Sequence, residues 1–139
     1  MAYEDRFRMS VHAVITNENN EVLMLKANYG TGGWGLPGGA LDPTETVHEA
    51  LIRECREEIG VEILVKELTG IYYYKKHDSQ VVIFRAEIVS TTPIRISEEH
   101  SEFAFRPLSE LTPIARTRIE DCLNFDGFAK SRRFEPIST

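Results

Sequence analysis

Three glutamates in the middle of the chain carry the first chemical signal. Glu54, Glu57 and Glu58 stand at i, i+3 and i+4, a spacing that gathers their carboxylates on one side of a helix. Like charges placed this way repel by about 0.2–0.5 kcal/mol per pair. Glu58 also occupies the place four residues beyond Glu54 where a plain surface helix would more often carry Lys. Clustered carboxylate oxygens suit a hard divalent cation such as Mg²⁺, which keeps several waters and takes substrate phosphates as further ligands. A solvated helix face is the competing explanation for any such charge run. Just before the helix lies Leu36-Pro37-Gly38-Gly39. Glycine permits close backbone approach and Pro37 fixes one turn angle, so this loop can set its backbone beside the same cation or the phosphates it holds.

Other chemistries lack their residues. Gly33, Gly35 and Gly38 satisfy GxGxxG, yet Pro37 interrupts the pattern and no helix opens at the third glycine, which excludes a dinucleotide fold. There is no GxxxxGK[ST], no HExxH and no GxSxG, and the four histidines are widely spaced; a P-loop, a zinc site and a serine hydrolase are set aside. Cys55 and Cys122 form no CxxC pair, which suits free thiols in a cytoplasmic setting.

The elements that must position these residues can be read from pattern. Met9–Thr16 and Glu21–Lys26 are predicted strands, joined as a hairpin through Asn17–Asn20. Six of the nine glycines fall between Gly30 and Gly39, a stretch that admits only loop or very short strand. Thr46 and Glu49 form a capping box, so a helix is predicted from Thr46 to about Ile59, closed by Gly60. On its wheel Leu51, Ile52, Cys55 and Ile59, with His48, share an apolar arc. Glu54, Glu57 and Glu58 share the adjoining arc with Ala50, whose small side chain leaves room for an approaching group. Glu49, Arg53 and Glu57 are spaced for ion pairing. Strands follow at Val61–Leu68, Ile71–Lys75, Gln80–Val89 and Phe103–Arg106. Thr112-Pro113 opens a second helix that ends near Phe125. The tail 126–139 shows no period and reads as a C-terminal arm of a single domain spanning 1–139. Strands outnumber helices and include hairpins, which predicts an α+β sandwich.

The whole composition fits this picture. The chain has 139 residues, 42% hydrophobic and 27% charged, which excludes a disordered chain or a fibre. A core of this size needs no disulfide scaffold. No apolar run nears the ~18 residues that span a bilayer, and the charged start excludes a secretory signal. Of the net charge of −6, the segment Gly39–Glu62 carries −5. A near-neutral protein with one concentrated anionic segment attracts cations and repels nucleic acid and acidic membranes.

Gly39, Glu45 and the run Arg53-Glu54-Cys55-Arg56-Glu57-Glu58-Ile59-Gly60-Val61 together resemble the Nudix box, GX5EX7REUXEEXGU, and all seven fixed positions match. The preceding Trp34-Gly35-Leu36-Pro37-Gly38 looks like its usual lead-in. Cys55 stands where the family usually has an aliphatic residue. The resemblance implies an α/β/α sandwich around a mixed sheet and hydrolysis of a nucleoside diphosphate linked to another group. It implies Mg²⁺ or Mn²⁺ held by Glu54, Glu57 and Glu58, joined by the Gly39 carbonyl. Arg53 would orient a glutamate and Glu45 would brace loop and helix. The attacking water would be activated by the metal or by a carboxylate. Glu54 is one candidate base; Glu98, Glu99 and Glu102 are others if their loop folds over the site. Trp34, Tyr29 and Tyr72–Tyr74 could stack a base, and Arg106, Arg85 and Lys26 could meet phosphates. A nucleoside triphosphate and a nucleotide sugar both stay open as small-molecule substrate. A homodimer is a further expectation from the resemblance. Three other readings make different demands on the residues. A nucleotide-sensing domain without turnover would be expected to lack box carboxylates. An isoprenyl diphosphate isomerase needs a pocket cysteine. RNA decapping calls for a basic stripe.

Overall fold

A computed structural model describes residues 2–135. Eight strands and two helices follow in order: β1 (Arg8–Val14), β2 (Val22–Ala27), β3 (Trp34–Gly35), β4 (Gly38–Ala40), α1 (Val47–Ile59), β5 (Ile63–Tyr74), β6 (Ser79–Ile88), β7 (His100–Arg106), α2 (Pro113–Leu123) and β8 (Lys130–Phe134). Five strands form a mixed sheet in the order β4-β1-β6-β5-β8, and β3-β2-β7 form a second sheet. The pair β1–β6 is parallel and β5–β6 antiparallel.

Alternation along the strands builds a core on each face. Val11, Ala13, Leu23, Leu25, Val82 and Phe84 pack with Ala50, Leu51, Cys55 and Ile59 of α1. Their neighbours Val14, Val22, Met24, Val81 and Ile83 pack with Ile119 and Cys122 of α2. This is the α+β sandwich expected from the sequence, a helix on each side of the strands.

Three local expectations are corrected. First, β1 and β2 touch as a hairpin only through the bridge Thr16–Val22 before entering different sheets. Val22–Leu25 is buried at every position, so β2 is a central strand that needs partners on both edges, and a simple hairpin would supply only one. Second, the two strands expected on either side of Gly70 are one strand, β5, with register shifts near Leu68. A Cβ at Gly70 would run into the Tyr72 phenol ring, so this glycine marks a close approach inside a strand. Third, the tail expected as an arm contributes β8, which lies parallel to β5 from Gly70 to Tyr74. Its pairing partner is remote in sequence, and a five-residue strand of KSRRF shows too little apolar alternation to be read alone. Residues 136–139 of the expected arm lie outside the described residues. Among the described residues no helix is long and apolar enough to cross a membrane.

Candidate active site

Local rules place α1. Thr46 Oγ1 accepts from Glu49 N–H at 3.1 Å while Glu49 Oε1 accepts from Thr46 N–H at 2.9 Å. At the far end Gly60, at φ 66°, donates its N–H to Arg56 O at 3.1 Å. The helix thus begins and ends where the capping box and the glycine predicted. Its rotation differs from the wheel. Ala50 is 0% exposed and Glu58 only 5%, because β4 packs across this side of α1. The three glutamates therefore do not share one solvated arc: Glu58 is buried, Glu54 half-buried and Glu57 exposed.

Each glutamate meets a different environment. Glu58 Oε1 accepts from Gly38 N–H at 3.2 Å, and its Oε2 lies 3.7 Å from His100 Nε2. Burial first, and the neighbouring Glu54 carboxyl second, push Glu58 well above the usual carboxylate range. Gly39 makes this crowding sterically feasible: a Cβ there would stand 2.7 Å from the Glu54 carboxyl carbon. Arg53 gathers the remaining charges. Its Nε and Nη2 donate to Glu45 Oε2 and Oε1 at 2.6 and 2.9 Å. Its Nη1 reaches Glu54 Oε1 at 3.1 Å and Glu57 Oε2 at 3.2 Å, and its Nη2 also reaches the Ala40 carbonyl at 3.2 Å. Hydrogen bonding to Glu45 holds the Arg53 guanidinium firmly protonated. Glu45 ties back to Asp42 N–H at 2.7 Å, so the pair binds loop to helix. Glu49 is taken up by the cap rather than by Arg53.

Two cavities meet at these glutamates. One, of about 380 Å³, is lined by Glu54, Glu57, Glu58, Ser97, Glu98 and Glu99. The loop carrying Glu98 and Glu99 does fold over the helix. Ser97 N–H donates to Glu58 O at 3.0 Å, and Asn28 donates to Glu99 O at 2.8 Å and to Glu98 O at 3.2 Å. Glu102 is not brought in: it stands exposed on β7 opposite Lys26. The other cavity is a cleft of about 770 Å³. Glu54, Glu58 and Gly39 form one part of its wall, and Trp34, Tyr29, Tyr74 and Arg118 another. Arg106 lies over the Trp34 ring, 4.9 Å from its centroid, and braces it. Arg85 is turned away, donating to Thr16 Oγ1 at 2.7 Å. Tyr72 and Tyr73 spend their hydroxyls on Asp121 and Asp78.

Among the described residues no three of the His, Cys, Asp and Glu side chains converge closely enough to hold a metal; Glu57 is drawn off by Arg53. The donor chemistry nevertheless fits a hard cation. Glu54 and Glu58 present only oxygen, crowd each other electrostatically, and sit in the space that the missing Gly39 side chain leaves open.

Sequence reasoning missed Arg118, His12, His100 and Asn28. Arg118 carried a readable sign: it lies three residues after Ala115 and four before Cys122, on the buried side of α2. An arginine at a core-facing position asks for a reason. The others are joined to the site only by tertiary pairing. Cys55 stays in the core, its thiol pushed up to about 12 by burial, and Cys122 is buried as well; neither supplies the pocket cysteine that the isomerase reading requires.

The fold and this acidic helix define a class, and comparison with known proteins agrees. The model of the NUDIX domain matches residues 6–122. The chain belongs to the NUDIX family and is an enzyme of the pyrophosphohydrolase class. It is 32% identical to a MutT-like protein of Streptomyces ambofaciens over 119 residues, covering 74% of this chain and 76% of that one. It is 31% identical to the asymmetrical bis(5'-nucleosyl)-tetraphosphatase of Mus musculus over 119 residues, with 79% and 80% covered. Among solved structures, a MutT protein from Methanosarcina mazei Go1 superposes with a TM-score of 0.71 at 27% identity, covering 91% of this chain and 100% of that one.

Proposed function

We propose that this enzyme cleaves the diphosphate linkage of a nucleoside diphosphate derivative, a nucleoside triphosphate or nucleotide sugar, by attack of water on phosphorus with a divalent cation present. One observation carries the reading: the paired carboxyls of Glu54 and Glu58 form the wall of a cleft whose other lining is aromatic and basic. A diphosphate bridge is densely anionic, and a carboxylate-lined wall would repel it unless charge were neutralised. Glu54, Glu58 and the Gly39 carbonyl would hold Mg²⁺ or Mn²⁺, with Glu57 as the third carboxylate. When bound, such an ion supplies Lewis-acid neutralisation of the phosphate oxygens and acidifies water.

The chain's own residues do the rest. Arg53 orients Glu54 and Glu57 through its Nη1, and its bidentate grip on Glu45 keeps that guanidinium in register. The proton of the attacking water passes to a carboxylate of the smaller cavity, Glu54, Glu98 or Glu99, each of which lines it. The nucleoside end of the substrate lies toward Trp34. Nothing favours a sensing domain without turnover, since no box carboxylate is missing. Two free buried thiols suit a reducing, cytoplasmic setting.

Hydrolysis of a nucleotide panel in Mg²⁺ tests the proposal, with wild type, Glu54→Gln and excess chelator as arms. A loss on the order of 10²-fold or more is expected in the variant, as when electrostatic stabilisation of a transition state is removed, and a comparable loss in chelator. Activity retained in both arms would overturn it.

A further inference from the structure

One cation that lines the cleft meets no acid among the described residues. Arg118 lies on α2 among core-facing residues, and it makes no ion pair among the described residues. Its Nε is shut off from solvent without a hydrogen-bond partner. The guanidinium lies 5.6 Å from the centroid of the Tyr74 ring; the Tyr74 hydroxyl is near enough to act on it electrostatically, yet no well-aligned hydrogen bond joins the two and the hydroxyl is itself buried without a partner. Both side chains line the same cleft as Trp34. A guanidinium is donor only, and leaving its Nε–H buried without a well-placed acceptor is costly. A wall that holds such a donor beside aromatic rings is built to receive a flat ring bearing acceptors.

His12 supplies the opposite polarity. Its Nδ1 lies 3.3 Å from Leu36 O; because a carbonyl can only accept, we assign the proton of the neutral ring to Nδ1, which leaves Nε2 as an acceptor. His12 lines the cleft as well, close enough to Arg118 to feel its charge. The subsite therefore offers donors from Arg118 and an acceptor from His12.

We infer that Arg118, with His12 and the aromatic wall of Trp34 and Tyr74, reads the base of the substrate and selects a 6-oxopurine over adenine. A 6-oxopurine presents acceptors at O6 and N7, the edge that arginine engages with two parallel hydrogen bonds, whereas adenine sets an amino donor at position 6. The N1–H of the same oxopurine is a donor that suits His12. This deepens the proposed reaction, resting on its assignment of the nucleoside end to this cleft, but it concerns recognition and needs no turnover.

The test is equilibrium binding of GMP, IMP and AMP in chelator, followed by fluorescence of Trp34, the sole tryptophan of the chain. Wild type is expected to bind GMP and IMP about tenfold or more tightly than AMP, the discrimination typical of a bidentate arginine. Arg118→Met should bring the three within about twofold of one another by weakening the oxopurines. Arg118→Lys, which keeps the charge and loses the planar fork, should lose most of the preference too. It decides the matter if the Met variant does not fold, as circular dichroism will show. Equal binding of AMP and GMP by wild type, or a preference unchanged in the lysine variant, overturns the inference. So does inorganic phosphate competing as strongly as GMP, which would make Arg118 a seat for an anion. A base preference without hydrolysis would sink the proposed reaction and leave this inference standing; hydrolysis without a base preference would do the reverse.

Discussion

Glu58 is a carboxyl whose surroundings oppose its charge. It is 5% exposed, faces the Glu54 carboxyl, and has one backbone N–H in partial compensation. Its acidity is consequently weakened in the folded chain, and the sign of the stability effect follows. The native state keeps a proton that the unfolded chain releases above the ordinary carboxylate range. Stability without metal therefore falls as pH rises from that range toward the raised native value. Glu58→Gln removes the titrating group. In chelator, thermal denaturation of the variant should show a flatter dependence on pH than wild type, with the variant the more stable at pH 8. A wild-type melting temperature that climbs between pH 5 and pH 8 would contradict this. The residue type and spacing of Glu58 were legible in the sequence. Its burial was not, because an isolated wheel has no knowledge of β4 crossing that side of the helix.

At the scale of the element, α1 is held by rules local enough to read from a dozen residues. Its cap closes through two reciprocal hydrogen bonds between Thr46 and Glu49, and its exit through the left-handed Gly60. Thr46→Ala breaks the cap and should cost about 1 kcal/mol, read as a lower midpoint in urea with an unchanged slope. Arg53 and Glu54 sit beyond the first turn, and Arg53 keeps its anchors in Glu45 and Ala40 while it holds Glu54 through Nη1, so kcat should change less than twofold. A large fall in kcat at full stability would mean that the cap positions the glutamates directly. The Arg53–Glu45 pair was legible only through the family resemblance, since the seven intervening residues span loop and helix and no helical spacing brings the two together.

At the scale of the whole molecule, α2, β5 and β8 are joined at Asp121. Tyr72 Oη donates to Asp121 Oδ2 at 2.9 Å, and Arg132 donates to its two oxygens at 2.7 and 2.9 Å. The Arg132 guanidinium foremost, then the Tyr72 hydroxyl, hold Asp121 below its ordinary range. A depressed carboxyl contributes stability above its unfolded value and loses it as pH falls through the native one. Asp121→Asn should cost about 1–2 kcal/mol at pH 7, allowing for the partial exposure of Arg132. The gap between variant and wild type should begin to narrow below about pH 4, the ordinary carboxylate value, and close only as pH falls through the depressed native one. Denaturant titrations at intervals from pH 7 down to about pH 2 would check both parts, and a gap unchanged at the lowest pH would show that packing rather than charge links the three elements.

Taken alone, the sequence determined the ends of α1, the β-rich α+β character of the sandwich, and the identity of the acidic side chains. Each of these rests on contacts within a few residues or on a periodicity that burial imposes. Tertiary structure decided which neighbours those side chains meet. It sent β1 and β2 to different sheets, drew the tail into β8, buried Glu58 against Gly38, and set Arg118 in the cleft across from the glutamates. Such pairings join residues far apart in the chain, and no local propensity encodes them, because their energy arises only when surfaces from separate elements are desolvated together.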